Sequence, residues 1–313
     1  MKIDKNVLVM SLFPKKVISH FDDTFNTFKL YEGNDVIKYL THISDKIHAI
    51  SVMGPTPVSS EIINILPNLK IIGNFGVGFD NIDVKKATEV NIIVTNTPNV
   101  LNDEVADTTV ALTLSVYRKI IEANKFLLSK SWLKSEFPLS KKFSWTKFGI
   151  LGLGRIGKAI AKRIEAFNCE ISYHSRNIKD VDYKYFSNLE DLAEHVDTLC
   201  VITPGGEETK HLVNENVLNK LGKNGVLINV GRGSVVDQNA MINALKNNVI
   251  SGAGLDVFEN EPNVPEDLMH LNNVVLLPHI GSATIETRYE MGKMVYDNIV
   301  AFFKKEKLLS PVN

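Results

Sequence analysis

A glycine-rich turn between a strand pattern and a helix pattern constrains the fold of this chain more than any other feature. Residues 148–157 read FGILGLGRIG, which places Gly152, Gly154 and Gly157 in the pattern G-x-G-x-x-G. The first glycine permits a tight bend, the second lets a ligand approach the backbone, and the third lets the helix pack closely on the strand. A helical pattern and a second strand pattern follow. The sequence therefore predicts a dinucleotide-binding βαβ unit, with the pyrophosphate at the helix N-terminus.

The end of the second strand pattern favours NADP(H), with NAD(H) as the alternative cofactor. Units that bind NAD carry an acidic residue about 20 positions further on, which accepts hydrogen bonds from the adenine ribose. Here Ser175 takes that place, 18 residues after Gly157, and Arg176 follows it. Serine removes a carboxylate that would repel the 2′-phosphate, and arginine can donate to that phosphate. The competing interpretation is that Arg176 is a solvated surface residue.

Apolar segments of strand length alternate with helical patterns along the whole chain, which is typical of parallel sheets covered by helices. Because 313 residues exceed what one core usually serves, we expect two domains. The predicted strands cover 7–11, 49–53, 71–74, 92–95, 148–151, 170–174, 198–202, 226–230 and 274–277. The predicted helices cover 101–128, capped by Asn102 or Asp103, and 155–167, 239–245 and 282–303. The predicted fold class is α/β, with two doubly wound parallel-sheet domains.

Composition argues against several classes of protein. The formal net charge of -1 carries no electrostatic signature of nucleic-acid binding. No segment approaches the roughly 18 apolar residues of a membrane span, and no cleavable signal pattern follows the N-terminus. Cys169 and Cys200 lie in apolar stretches without metal-ligand spacing. We therefore expect a cytoplasmic protein that binds a small molecule, with no metal and no nucleic-acid or membrane partner.

Three charged or titratable residues follow later strand patterns. Arg232 lies in the run NVGRGS, Glu261 in the run DVFENEP and His279 in the run PHIGSA. Since ligands of open parallel sheets bind beyond the carboxyl ends of the strands, these residues are candidates for the chemistry. Taken singly, each is better interpreted as a structural or surface residue. Spacing alone also does not choose between Glu259 and Glu261, and His211 is interpreted as a surface histidine.

Together these runs occur in the order found in the D-isomer-specific 2-hydroxyacid dehydrogenase family, which the chain resembles from its first domain to its last helix. The segments NFGVGFD, TNTP and HIGSAT are most similar to the glyoxylate/hydroxypyruvate reductases of that family. The resemblance implies an oxidoreductase that transfers a hydride from NAD(P)H to a small 2-keto acid, giving a D-2-hydroxy acid. It also implies a Rossmann cofactor domain, residues 100–285, inserted into a flavodoxin-like substrate domain, residues 1–99 and 286–313. A homodimer is implied as well.

The resemblance assigns roles to individual residues. His279 resembles the acid–base histidine, Glu261 the carboxylate that orients it, and Arg232 the arginine that binds the substrate carboxylate. The amides of Val77 and Gly78 resemble a second contact to that carboxylate. The implied cofactor contacts are Gly152, Gly154, Arg155, Ile156, Gly157, Ser175, Arg176, Thr203, Pro204, Val230, Asp256, His279 and Gly281, with Asp256 on the nicotinamide carboxamide.

Other functions remain open at this point. Corepressors of the C-terminal-binding-protein type resemble this chain in fold and at the same three residues, and they bind dinucleotide to control partner association. Such a protein would bind cofactor with little turnover. Among enzymes, 3-phosphoglycerate or D-lactate are alternative substrates, whereas formate dehydrogenases characteristically carry glutamine where Glu261 stands.

Overall fold

The computed structural model describes residues 2–30, 36–54 and 56–313. The chain divides into two compact units, one made of residues 1–101 and 284–313, the other of residues 102–283. In chain order the elements are β1 (Asn6–Val9), α1 (Lys15–Thr24), β2 (Asn26–Lys29), α2 (Val36–His42), β3 (Ala49–Met53), α3 (Ser60–Ile65), β4 (Ile71–Phe75), α4 (Val84–Glu89), β5 (Ile93–Thr95), α5 (Asn102–Arg118), α6 (Ile120–Leu128), β6 (Lys147–Leu151), α7 (Arg155–Glu165), β7 (Glu170–His174), β8 (Lys184–Tyr185), α8 (Leu189–His195), β9 (Thr198–Val201), α9 (Glu215–Leu221), β10 (Val226–Asn229), α10 (Gln238–Lys246), β11 (Gly252–Leu255), α11 (Glu266–Met269), β12 (Val274–Leu276) and α12 (Ile285–Lys304).

The first unit is built on a parallel sheet of five strands in the order β2-β1-β3-β4-β5. This is the flavodoxin-like order. Its central strands are buried along their length, so they read as continuous apolar runs and not as alternating ones. Helix α12 packs on β4, where Gly73 leaves room for it: a Cβ at that position would lie 2.7 Å from Val295 Cγ1.

The second unit is built on a parallel sheet of seven strands in the order β12-β11-β10-β9-β6-β7-β8. The strand order reverses at β6, with β7 and β8 on one side and β9 to β12 on the other. This is the doubly wound dinucleotide-binding order, extended by one strand. Since every strand is parallel, the loops after β6, β9, β10, β11 and β12 leave the same edge of the sheet. The predicted fold class is confirmed.

The prediction of one helix over residues 101–128 is wrong. The chain forms two helices there, α5 and α6, because Lys119 adopts left-handed backbone angles with φ of 51° and ends the first one. Asn102 is already helical and Asp103 lies in the first turn of α5, so the predicted capping role is not observed. The Asp103 carboxylate instead accepts a hydrogen bond from Arg163 Nη2 at 2.9 Å.

Strands β2, β8 and β11 are absent from the sequence prediction. β8 has only two residues, and β11 reads GAGL, whose glycines disfavour a strand assignment. The glycines serve packing, because a Cβ at Gly254 would lie 2.9 Å from Ile228 Cδ1 and 3.3 Å from Leu112 Cβ on α5. In the described part of the chain, no helix combines the length and apolar character needed to traverse a membrane.

Candidate functional site

The glycine turn after β6 has three glycines with three different surroundings. Gly152 has φ of 105°, and a Cβ there would lie 3.0 Å from the Thr203 amide nitrogen. A Cβ at Gly157 would lie 2.3 Å from the Gly152 carbonyl oxygen, so only glycine lets α7 start this close to β6. By contrast, a Cβ at Gly154 would meet no atom within 4 Å. The backbone is therefore exposed where a phosphate group would approach it.

The start of α7 supplies donors to the same place. The helix begins at Arg155, and the amides of Gly154, Arg155 and Ile156 donate to no acceptor among residues 2–30, 36–54 and 56–313. Free amides at a helix N-terminus, together with the helix dipole, bind anions. The residues present at the turn thus fit the pyrophosphate of a dinucleotide.

The partly buried Ser175 and the exposed Arg176 follow β7, where the adenine ribose of a bound dinucleotide is expected. Ser175 Oγ donates to the Asn177 carbonyl at 2.7 Å. Arg176 Nη1 donates to Glu208 Oε2 at 3.1 Å, and these two side chains are 85% and 81% exposed. An ion pair this exposed is weak, so the Arg176 guanidinium can exchange Glu208 for a phosphate at little cost.

Arg232 sits on a tight turn directly after β10. A Cβ at Gly233 would lie 1.9 Å from the Phe258 carbonyl carbon, so the turn accepts no side chain there. The buried Asn229 side chain braces the turn from within: its Nδ2 donates to the Arg232 carbonyl at 3.0 Å and its Oδ1 accepts from the Gly231 amide at 3.1 Å. Asn229 was not among the residues predicted from the sequence, although a buried asparagine at a strand end is a signal for such bracing.

His279 and Glu261 form a short hydrogen bond, with 2.6 Å between His279 Nδ1 and Glu261 Oε2. The second carboxylate oxygen of Glu261 accepts from the Phe258 amide at 3.0 Å. Burial raises the pKa of Glu261. The hydrogen bond and charge of His279, the Phe258 amide and the charge of Arg232 lower the pKa by more, so it lies below its ordinary value. Glu261 is therefore ionised at neutral pH and holds one ring nitrogen of a histidine that is 44% exposed.

Asp256 fixes the backbone that carries His279. Its carboxylate oxygens accept from the amides of Ile280 and Gly281, both at 2.7 Å, and its carbonyl accepts from the His279 amide at 3.0 Å. The side chain is buried, and burial raises its pKa, although the two amides oppose the increase. The structure thus gives Asp256 a positioning role that the sequence did not reveal. The contact to the nicotinamide carboxamide stays a prediction.

The structure resolves the ambiguity between the two neighbouring glutamates. Glu261 faces His279, whereas Glu259 Oε1 lies 2.7 Å from His211 Nε2. His211 is only partly exposed and is not an isolated surface histidine. The short turn after β11 therefore supplies the carboxylates of two histidine–carboxylate pairs.

In the first unit, the loop after β4 is braced by asparagine side chains. Asn74 Nδ2 donates to the Gly78 carbonyl at 2.8 Å, and Asn96 Nδ2 donates to the Val77 carbonyl at 2.8 Å. Within the described ranges, the amides of Val77 and Gly78 donate to no acceptor. Fixed carbonyls and free amides suit a loop that binds an anion.

The remaining predicted cofactor residues follow strands of the second sheet. Thr203 and Pro204 lie just beyond β9, and the Thr203 amide nitrogen faces Gly152. Val230 follows β10 directly and donates its amide to the Val201 carbonyl at 3.1 Å. All three therefore lie at the same edge of the sheet as the glycine turn.

Comparison with known proteins agrees with this geometry. The family model "D-isomer specific 2-hydroxyacid dehydrogenase, NAD binding domain" matches residues 110–281. The glyoxylate/hydroxypyruvate reductase A of Arabidopsis thaliana is 44% identical over 307 residues, covering 98% of both proteins. A glyoxylate reductase of Thermococcus litoralis is 43% identical over 272 residues, 83% of this chain and 82% of the relative.

A solved structure gives the same result. The crystal structure of an NADPH-dependent glyoxylate/hydroxypyruvate reductase from Sinorhizobium meliloti, in complex with NADP and malonate, superposes with a TM-score of 0.94 at 43% identity. The match covers 99% of this chain and 97% of the other. The resemblance predicted from the sequence is confirmed.

Proposed function

Because the chain belongs to the D-isomer-specific 2-hydroxyacid dehydrogenase family, we propose that it reduces glyoxylate to glycolate and hydroxypyruvate to D-glycerate with NADPH. The observation that carries the proposal is the 2.6 Å contact between His279 and Glu261, on loops at the sheet edge where the glycine turn also lies. Relatives named for these two substrates, similar over nearly the whole chain, support the choice of substrate.

Proton transfer is the task of His279. Reduction of a ketone requires a proton at the oxygen as the bound nicotinamide supplies a hydride to the carbon. Glu261 accepts from Nδ1 of the ring, which leaves Nε2 to face the substrate. The backbone contacts from Asp256 hold the histidine turn in place during this step.

Substrate orientation is the task of Arg232 and of the amides of Val77 and Gly78. A guanidinium can bind a carboxylate through two parallel hydrogen bonds and also polarise the adjacent carbonyl group. The bracing of Arg232 by Asn229 supports this role, because a fixed backbone limits where the guanidinium can reach. The free amides of Val77 and Gly78 supply further donors for the same carboxylate.

NADPH is the proposed cofactor, with NADH used less well. The pyrophosphate would rest on the amides of Gly154, Arg155 and Ile156. Ser175 carries no charge to repel the 2′-phosphate, and the exposed Arg176 can donate to it. The similar reductase from Sinorhizobium meliloti is NADPH-dependent.

We also propose that residues 100–285 form the cofactor domain, that residues 1–99 and 286–313 form the substrate domain, and that the protein is a cytoplasmic homodimer without nucleic-acid or membrane partners.

Helix α6 has no buried residue. Large apolar side chains lie exposed on α6 and the segment after it: Ile120, Ile121, Leu127, Leu128, Trp132, Leu133, Leu139 and Trp145. Such exposure marks a protein interface, which supports the dimer. Light scattering should give twice the mass of the chain, and a monomer mass would refute the dimer.

Initial rates test the proposed function. Glyoxylate, hydroxypyruvate, pyruvate, phenylpyruvate and 3-phosphohydroxypyruvate are each assayed with NADPH and with NADH. We expect fast turnover of the first two and a preference for NADPH. Arg176→Ala should reduce that preference, whereas Lys223→Ala, an exposed charge just before β10, should not. Tight dinucleotide binding without turnover of any keto acid would instead favour a dinucleotide sensor.

A further inference from the structure

We propose that His211 and Glu259 are positioning residues, which hold the turn that carries Glu261 against the loop that carries Arg232. The proposal rests on the proposed function, because it concerns the geometry of the same site. It assigns a role to the second of the two histidine–carboxylate pairs.

The His211 side chain bridges loops of the second unit. His211 Nε2 lies 2.7 Å from Glu259 Oε1, and its Nδ1 lies 4.0 Å from Asp237 Oδ2. Both ring nitrogens thus face carboxylates. His211 follows β9 in the chain, Asp237 follows β10 and Glu259 follows β11, so one imidazole joins three successive loops.

The backbone around His211 is fixed to the loop of Arg232. The His211 amide donates to the Ser234 carbonyl at 2.9 Å, and the Val213 amide donates to the Val235 carbonyl at 3.0 Å. The Asp237 amide returns a bond to the Val213 carbonyl at 2.9 Å. Backbone hydrogen bonds therefore attach the segment of His211 to the segment that begins at Ser234, two residues after Arg232.

The turn on the other side of the bridge depends on side-chain contacts. The Glu259 amide donates to Gln238 Oε1 at 3.4 Å, and the Phe258 amide donates to Glu261 Oε1 at 3.0 Å. Gly233 lies against the Phe258 backbone so closely that a Cβ would come within 1.9 Å. The bond from His211 to Glu259 adds a charge-assisted tether in the middle of this turn.

Loss of the tether has two consequences for the site. The turn can move relative to Arg232, and a displacement of about 1 Å can reduce the rate by about 100-fold in a well-oriented site. In addition, the Glu259 carboxylate loses its contact to the His211 imidazole, although it still lies two residues from Glu261. Both effects disturb the contact between Glu261 and His279 without touching substrate or cofactor.

The test compares two matched histidine variants. His211→Asn removes the bridge, whereas His195→Asn removes a similar pair, His195 Nε2 to Glu170 Oε1 at 3.1 Å. Glu170 begins β7 and His195 ends α8, just before β9, so this control pair lies at the opposite edge of the same sheet. We expect His211→Asn to lower kcat roughly 10-fold and to raise KM for the keto acid, with NADPH affinity and Tm close to wild type. His195→Asn should leave kcat and KM unchanged.

A conservative variant separates positioning from loss of folding. Glu259→Gln keeps an oxygen that can accept from a neutral imidazole, so it should retain most of the activity. Glu259→Ala should behave like His211→Asn. Equal kinetics for the His211 and His195 variants, or no difference between the two Glu259 variants, would overturn the proposal.

A measurement without turnover separates this proposal from the proposed function. The imidazole signals of His279 are followed by NMR in histidine-labelled protein and assigned by their loss in His279→Asn. They should shift in His211→Asn and stay in place in His195→Asn. Unchanged His279 signals in His211→Asn would refute the positioning role even if the wild-type protein turned over none of the keto acids.

Discussion

Replacing Glu261 by glutamine removes one negative charge beside the His279 ring and preserves the size of the side chain. In the folded protein this carboxylate accepts from two donors, His279 Nδ1 at 2.6 Å and the Phe258 amide at 3.0 Å. Glutamine has one oxygen in place of two, so one of the donors loses its acceptor. The variant therefore loses both a charge interaction and a hydrogen bond.

The magnitude follows from the geometry. Opposite charges about 4 Å apart interact by about 1 kcal/mol in water and by about 4 kcal/mol near a protein surface. The two side chains are 44% and 22% exposed, so solvent screening favours the lower part of that range, about 1–2 kcal/mol. This corresponds to a roughly 5- to 30-fold change in a rate constant. Because the Glu261 carboxylate holds the ring that donates the proton, we expect Glu261→Gln to lower kcat/KM for glyoxylate at pH 7 by about this factor.

The assay is the NADPH-dependent rate at pH 7, with Glu266→Gln as the control. Glu266 is an exposed carboxylate at the start of α11, so its variant carries the same chemical change away from His279. The Glu261→Gln variant should be slower by this factor, and the Glu266→Gln variant should match the wild type. A Glu261→Gln variant with the wild-type kcat/KM would refute the coupling of Glu261 to proton donation.

The same residue links stability to pH. The pKa of Glu261 is lower in the folded chain than its ordinary value of 4.5. A carboxyl with a lowered folded pKa contributes stability above its unfolded pKa, and the contribution is lost as the pH falls through the folded pKa. The free energy of unfolding should therefore be larger for the wild type than for Glu261→Gln at pH 7, and the difference should shrink as the pH falls below 4.5.

Three further substitutions test the supporting geometry. Asp256→Asn removes one of two charge-assisted acceptors, so we expect about 1–3 kcal/mol less stability in urea unfolding and slower turnover; wild-type stability would contradict the assigned bracing. Gly157→Ala places a Cβ 2.3 Å from the Gly152 carbonyl, so it should lower Tm as well as NADPH affinity. Gly154→Ala meets no protein atom, so Tm should stay unchanged while NADPH affinity, measured by fluorescence, falls at least about 10-fold; unchanged affinity would place the pyrophosphate elsewhere.

Much of the fold could be predicted because parallel strands buried on both faces leave continuous apolar runs. Strands β3 and β7 begin and end where the sequence predicts. The break between α5 and α6 could not be found in this way, because Lys119 carries no helix-ending signal and Ile120 and Ile121 continue the apolar pattern. Strand β11 was missed because two of its four residues are glycines, which disfavour a strand assignment. Close packing requires these glycines in the folded chain.

The candidate site shows the same division. Motifs located Arg232, Glu261 and His279, because these side chains lie at strand ends in a recognisable order. The supporting residues were not visible in the sequence. Asn229 acts through hydrogen bonds to the backbone of a turn, and His211 contacts Glu259, which is 48 residues further along the chain. Spacing along the chain does not show that Glu261 faces His279 while Glu259 faces His211; the folded structure does.

The most direct test of the central claim is the NADPH-dependent reduction of glyoxylate by the wild-type protein and by His279→Asn. Wild-type turnover should lie within the ordinary enzymatic range, about 1–1000 per second. The variant should lose at least about 100-fold in kcat, because it lacks the proton donor, and its NADPH affinity should stay close to wild type. A variant as fast as the wild type, or a wild-type protein that binds NADPH without reducing glyoxylate or hydroxypyruvate, would contradict the account.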